Sequence, residues 1–275
     1  MSDRGTLTKQ EFWDNVSAKR LGDSDAVPKS GWRRKIAPLL VDHGWRATIN
    51  VIRRTIPADN LLAALEVGCA PGQKLLDLCA ITGYEPFGLE YADSGVTETR
   101  RTFERRGHDP ERIVHGDLFD EGVVDRIGRR FDVVMSFGLI EHFEDPRLAI
   151  ERHIDLLSPG GYLVIGIPNL VGLNLLSMWL LRREFISQHN RNIMNVRAMK
   201  ALFQLPTLEQ RFCGRVGFFQ FYGRFSRRER GFRGLLARIA NRTQSVLNPL
   251  QNAIFCGRNV PWWSSPSLLY IGQKK

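Results

Sequence analysis

Ala64-Leu65-Glu66-Val67-Gly68-Cys69-Ala70-Pro71-Gly72-Gln73 decides the fold of this 275-residue chain. Apolar residues run to Val67, Gly68 and Gly72 bracket a tight turn, and Lys74-Leu75-Leu76-Asp77-Leu78 resumes apolar positions at helical spacing. The stretch predicts a short buried strand, a turn and the start of a helix. A glycine in such a turn takes φ > 0 without a Cβ clash and lets backbone approach a ligand closely.

The ligand can be narrowed from the residues around the turn. A dinucleotide site would want G-x-G-x-x-G with the diphosphate on the helix N-terminus. Here the turn is G-x-A-x-G with Pro71 inside it, and an acid, Glu66, stands on the strand before it. A carboxylate there disfavours a diphosphate and suits a cationic ligand. Glu90 ends the apolar strand Pro86-Phe87-Gly88-Leu89, where a carboxylate can take both ribose hydroxyls. Asp117 follows Ile113-Val114-His115-Gly116 and can accept from an adenine amino group. Acids at the ends of three successive strands, with no phosphate cradle, describe a nucleoside carrying positive charge.

Working outward, strands are expected at 64–67, 86–90, 112–115, 131–136 and 161–167, and helices at 73–81, 94–106 and 145–157. Val123, Val124 and Ile127 also fall at helical spacing. Such alternation implies α/β architecture, a Rossmann-like doubly wound sheet with right-handed crossovers and helices on both faces. Ligands in these sheets sit beyond the strand C-termini, where Gly68, Glu90, Asp117 and Ser136 all fall. Further strands are expected at 211–219 and 267–272.

The chain resembles class I S-adenosylmethionine-dependent methyltransferases. The resemblance is carried, in order, by Leu65-Glu66-Val67-Gly68-Cys69-Ala70-Pro71-Gly72, Gly88-Leu89-Glu90, His115-Gly116-Asp117-Leu118, Phe131-Asp132-Val133-Val134-Met135-Ser136, Glu141-His142-Phe143 and Leu157-Ser158-Pro159-Gly160-Gly161-Tyr162-Leu163. It implies a seven-stranded sheet whose last two strands form an antiparallel hairpin. It implies S-adenosyl-L-methionine as cofactor, held by Glu66, Gly68, Cys69, Ala70, Gly72, Glu90, Tyr91, Asp117, Leu118, Ser136 and Phe137. The chain then divides into an N-terminal helical cap (1–57), a cofactor core (58–169) and acceptor-side elements (170–275), within one domain.

Outside the core the expectations are as follows. Glu11-Phe12-Trp13-Asp14 opens a short helix that either lays its aromatics over a pocket, as related enzymes do, or simply anchors the tail. Residues 28–32 form a loop, and 33–56 one or two helices interrupted near Gly44. Residues 170–181 are nearly all apolar, too few to cross a bilayer, which needs roughly 20. A helix apolar on most sides is buried or lies against something greasy. A polar loop over 186–195 and a helix over 196–204 follow.

Residues 222–263 are a basic helical insertion between the hairpin strands. There Arg224, Arg227, Arg228, Arg230, Arg233, Arg238, Arg242 and Arg258 face one acid, Glu229. Leu235, Leu236, Ile239, Val246, Leu247 and Leu250 share one helical face, with Trp262 and Trp263 beyond. Three readings stand: 224–250 lies on an anionic membrane, it packs on its own domain, or its arginines bind nucleic acid. The last is weakest because aromatics are not interleaved with the basic run.

Bulk properties are those of a globular protein, with 43% hydrophobic and 25% charged residues, and the formal net charge is +10. Cys69, Cys79, Cys213 and Cys256 make no C-x-x-C pair, and the polar N-terminus holds no signal-peptide core. A cytoplasmic location follows, at the inner face of the membrane if the basic insertion docks there. No metal-ligand set is assigned.

Methyl transfer from a sulfonium needs alignment and, for a hydroxyl acceptor, removal of one proton. His142 and His189 are the candidate bases. Each has a bland alternative: His142 bonding a loop carbonyl, His189 exposed in its loop. The tone of 136–146 and of Gly166-Ile167-Pro168-Asn169 resembles quinone-methylase-type and surface-glycan-associated enzymes. The expected acceptor is a hydroxyl of a saccharide or related intermediate, lipid-linked in one version. A quinone-like or secondary-metabolite phenol is the alternative. A non-catalytic cofactor-binding partner protein remains open, since fold does not guarantee activity.

Overall fold

The computed structural model describes residues 5–21, 42–57, 62–221, 231–255 and 261–275. The expected loop at 28–32, the stretch 33–41, Cys256, and the arginines at 224, 227, 228, 230 and 258 lie outside the described residues. So does the side chain of Arg233.

The first five strands are β1 (Ala63–Val67), β2 (Glu85–Glu90), β3 (Ile113–His115), β4 (Phe131–Phe137) and β5 (Leu157–Pro168). They are joined by α3 (Gln73–Thr82), α4 (Asp93–Arg105), α5 (Val123–Ile127) and α6 (Arg147–Asp155), and preceded by α1 (Gln10–Leu21) and α2 (His43–Thr55). After β5 come α7 (Gly172–Arg182), α8 (Val196–Leu202), β6 (Leu208–Val216), α9 (Gly231–Ile254) and β7 (Ser267–Lys274). The sheet order is β3-β2-β1-β4-β5-β7-β6. Strands β1 to β5 are parallel, while β7 runs antiparallel to both β5 and β6.

Central position explains composition. All five residues of β1 are buried, as expected of a strand covered on both faces. One core layer gathers Leu65, Phe131, Val134 and Leu163 on one face of the sheet. Ala64, Val133, Met135 and Val164 join Ile52 and Leu76 on the other. Glu66 is the exception in β1, a buried acid in an otherwise apolar strand.

Several boundaries differ from the sequence expectation. The helix that carries Ile49 and Ile52, α2, starts at His43, next to Gly44, and Asp42 caps it by accepting from the Trp45 N–H at 3.0 Å; what precedes it over 33–41 lies outside the described residues. Strand β5 begins at Leu157, with Gly160 at φ +75°, because a register shift opposite Phe131 and Val133 absorbs the Pro-Gly-Gly segment. Strand β6 starts three residues earlier than expected, at Leu208.

Helices α7 and α9 bury mixed faces and expose much of their apolar surface. On α7 the buried set is Asn174, Ser177, Met178 and Leu181, while Leu173, Leu176, Trp179 and Leu180 face out, at 41–51% exposure. Asn174 is held inside by donating to the carbonyls of Asn169, Ser264 and Ser265. On α9 the buried positions include Asn248, Gln251 and Asn252, while Leu235, Ile239, Val246, Leu250 and Ile254 are exposed. The polar face is bonded to the domain: Asn252 Oδ1 lies 3.0 Å from His43 Nδ1, and Gln251 Oε1 accepts from the Phe219 N–H at 3.0 Å. Of the apolar face expected on α9, only Leu236 and Leu247 are half-buried. No helix of the described residues is long and apolar enough to cross a membrane.

Candidate active site

The turn after β1 has the geometry its glycines predict. Gly68 and Gly72 hold φ of +69° and +81°, and Gly72 N-caps α3. Gly68 N–H donates to the Leu89 carbonyl at 2.8 Å, which fixes the turn to β2. A Cβ on Gly88 would stand 2.5 Å from Cys69 Sγ and one on Gly95 3.0 Å from Glu90 Cδ. Those two glycines make room for the turn and for the acid, a role the sequence alone did not reveal.

Glu90, 5% exposed, organises the loop tips. Its Oε1 accepts from the Tyr91 and Ala92 N–H groups at 3.1 and 3.0 Å, and its Oε2 accepts from Ala70 N–H at 3.1 Å. A carboxylate offers about four lone-pair sites, so an acceptor position on Oε2 is left toward the crevice. Burial pushes the Glu90 carboxyl up from its ordinary value, and the three backbone donors pull it back. Asp117 accepts from Phe119 N–H at 3.0 Å at the tip of the next strand, with Leu118 buried beside it. Tyr91 lies between these acids: burial, then Glu90 and Asp117, push its phenol up.

Glu66 is 3% exposed and its Oε2 has no hydrogen-bond partner. Burial raises its carboxyl well above the usual range, opposed by the Lys74 ammonium and reinforced by the Glu90 charge. Lys74, in the first turn of α3, stands 5.6 Å from the Trp45 ring centroid and 5.7 Å from that of Phe137. Trp45 packs edge-on to Phe137 at 4.9 Å. Lys74 and Trp45 were not among the expected site residues. Ser136, at the end of β4, is fully buried with an unpartnered Oγ. Cys69 is buried, and its thiol is pushed up by burial, so it is an inert filler.

Beyond β4 a single 3-10 turn, Ile140–His142, presents Glu141 and His142. A second one, Arg183–Gln188, delivers His189 to the same place, and the two imidazole centroids are 4.7 Å apart. His142 Nδ1 lies 2.8 Å from the Gln188 carbonyl and His189 Nδ1 2.7 Å from that of Phe185. Burial, then the His189 charge, lowers His142 to about 3, and burial lowers His189. Glu141, 1% exposed, is raised by burial to about 8.

The N-terminal segment covers this end. Trp13 meets His142 edge-on at 5.0 Å, and Phe12 meets Phe185 at 5.8 Å. Gln10 Nε2 donates to the Tyr91 carbonyl at 3.1 Å, and Ser94 Oγ donates to Asp14 Oδ1 at 2.9 Å. Leu7 N–H donates to the His142 carbonyl at 2.7 Å. The aromatic pair therefore lies on the site and not merely on the domain surface.

A family model described as "Methyltransferase domain" matches residues 41–205, more than half of the chain. The chain belongs to the S-adenosylmethionine-dependent methyltransferase family. A probable S-adenosylmethionine-dependent methyltransferase of Mycolicibacterium smegmatis is 31% identical over 156 residues, covering 54% of this chain and 56% of that protein. A ubiquinone biosynthesis O-methyltransferase of Leptothrix cholodnii is 25% identical over 121 residues, covering 44% of this chain and 50% of the relative. The chain thus spans about half the length of these curated relatives. Magnesium protoporphyrin IX methyltransferase (ChlM) from Synechocystis PCC 6803, solved with bound S-adenosylhomocysteine, shares the fold. Its TM-score is 0.56 at 10% identity, with 97% of each chain covered.

The crevice of this methyltransferase fold fits the donor. An unpartnered carboxyl oxygen at Glu66 and an open acceptor position on Glu90 are the acceptors that a cationic nucleoside would need, and Gly68 and Gly72 keep backbone at both ends of the turn free of side chains.

Proposed function

We propose that this chain transfers the methyl group of S-adenosylmethionine to a hydroxyl of a saccharide or related biosynthetic intermediate carried on a lipid, working at an anionic membrane surface. Glu66, Gly68, Cys69, Ala70, Gly72, Glu90, Tyr91, Asp117, Leu118, Ser136 and Phe137 bind the donor. His142 and His189 receive the acceptor hydroxyl. The hydroxyl oxygen forms the new bond to carbon, the carbon–sulfur bond breaks with its electron pair on sulfur, and the hydroxyl proton leaves by way of an imidazole lone pair. Because burial keeps both rings neutral at neutral pH, each stands ready as an acceptor.

The observation that carries the membrane part is the apolar surface that α7 and α9 leave exposed. Exposed contiguous apolar surface on a soluble domain marks an interaction face. Here it is accompanied by exposed Arg183, Arg238 and Arg242 and by exposed Trp262 and Trp263. Arginines with interfacial tryptophans favour anionic lipid over an uncharged protein groove. A polyprenyl phenol is the second reading, favoured by the likeness to the ubiquinone biosynthesis O-methyltransferase.

Labelled methyl transfer to membrane-derived glycolipid and phenolic fractions tests the acceptor, and flotation with phosphatidylglycerol vesicles tests the surface. The intact chain should float, and the double variant Leu176→Glu, Trp179→Glu should stay at the bottom with unchanged affinity for S-adenosylhomocysteine. Equal flotation of both, or label confined to water-soluble acceptors, would refute the membrane-linked reading.

A further inference from the structure

We propose that Glu141, His142 and His189 together bind a divalent first-row transition-metal ion at the acceptor end of the crevice. One donor atom from each of the three lies within 4.8 Å of the others. At metal–ligand distances of about 2.1 Å, tetrahedral donors stand roughly 3.4 Å apart. The side chains would therefore close by about an ångström on binding.

The two imidazoles are already in the form a metal needs. Each imidazole has its Nδ1 against a backbone carbonyl, Gln188 for His142 and Phe185 for His189. A carbonyl only accepts, so Nδ1 carries the hydrogen and the lone pair is on Nε2. This is how metal-ligating histidines are usually oriented. Glu141 adds a carboxyl that is 1% exposed, with Oε2 unpartnered. A buried polar atom without a partner calls for an explanation, an unseen ion among them. The two imidazoles and the Glu141 carboxyl stand within reach of one ion, and an ion bound there would take the place of the carboxyl proton.

The backbone that carries these residues is clamped. Asn190 N–H donates to the Glu141 carbonyl at 2.7 Å. Asn190 Nδ2 donates to the carbonyls of Phe143 and Glu144 at 3.1 and 2.8 Å. Two nitrogens and one carboxylate with open positions suit zinc, cobalt or ferrous iron better than calcium or magnesium, which prefer all-oxygen shells.

The purpose of the ion rests on the acceptor reading given above. A hydroxyl coordinated to a divalent ion loses its proton at lower pH. With both imidazole lone pairs on the ion, that proton passes to water, so the ion would replace the direct imidazole route. Ion binding itself is measurable without any methyl transfer, so the two can fail separately.

The test uses the full chain stripped with a chelator and titrated with cobalt chloride, followed by visible absorption and by competition with zinc chloride. One equivalent of cobalt should bind with ligand-field bands in the visible. His189→Ala and Glu141→Gln should each weaken binding at least tenfold while S-adenosylhomocysteine affinity, measured in parallel, stays within twofold and reports an intact fold. Absence of the bands in the parent chain would overturn the proposal. So would metal binding equally tight in both variants. Should Glu141→Gln fail to fold, the outcome rests on His189→Ala, whose half-buried ring sits in a surface turn.

Discussion

Glu90→Ala should lower affinity for S-adenosylhomocysteine by about 100-fold or more, close to 3 kcal/mol at 1.4 kcal/mol per tenfold. Two losses add. The ribose loses its acceptor, and the N–H groups of Ala70, Tyr91 and Ala92 lose the carboxylate that holds the turn after β1 against the tip of β2. Hydrogen bonds to a charged acceptor contribute about 1.5–3 kcal/mol each before water replaces them. Glu90→Gln should fall between the two, because its amide oxygen can keep the Tyr91 and Ala92 donors while its NH2 faces the Ala70 N–H. Calorimetric titration of the three proteins gives the order directly. Equal affinity in Glu90→Ala would remove Glu90 from the donor site.

The second large effect is on stability against pH in the ligand-free, metal-free chain. Stability should peak near pH 6.5 and fall on both sides. Glu141, raised by burial to about 8, and Glu66, raised by burial with the Glu90 charge and opposed by Lys74, hold protons in the folded chain that the unfolded chain has released above its ordinary 4.5. Stability contributed by a raised group is present below the unfolded value and lost as pH rises through the folded one. That loss runs from pH 4.5 to about 8 and appears as a net fall above pH 6.5, where the histidines no longer oppose it. The acid limb has the opposite cause. His142 and His153 are lowered by burial to about 3 and about 4, and His43 and His189 are lowered too, so only the unfolded chain takes up those protons below 6.5. Urea midpoints at pH 5.5, 6.5 and 8 measure both limbs. Glu66→Gln and Glu141→Gln together should flatten the alkaline limb and steepen the rise between pH 5.5 and 6.5, because both raised carboxyls oppose the histidines there. An alkaline limb of full slope in that double variant would contradict the assignment.

The alternation of strand and helix was legible because β1, β2 and β4 are central parallel strands. Their two-sided burial forces near-continuous apolar runs, and the glycines at 68, 72 and 83 punctuate them with positive φ. Acids at the strand tips were legible for the same reason, since a carboxylate breaking an apolar run needs a cause. The start of α2 beside Gly44 is set by the N-cap at Asp42, which the apolar spacing alone did not pick out. The direction of α7 and α9 was not legible. Periodicity gives the apolar face of a helix but not which face meets the domain. Only the bonds from Asn174, Gln251 and Asn252 decide that. Nor could spacing pair His142 with His189, because two 3-10 turns on different crossovers bring them together.

Titration of S-adenosylhomocysteine into the purified full chain by calorimetry tests the central claim. One site of micromolar affinity, weakened in Glu90→Ala, is the expected result. No heat and no thermal shift at millimolar ligand, in a chain whose circular dichroism shows it folded, would contradict the assignment of the crevice to a methyl donor.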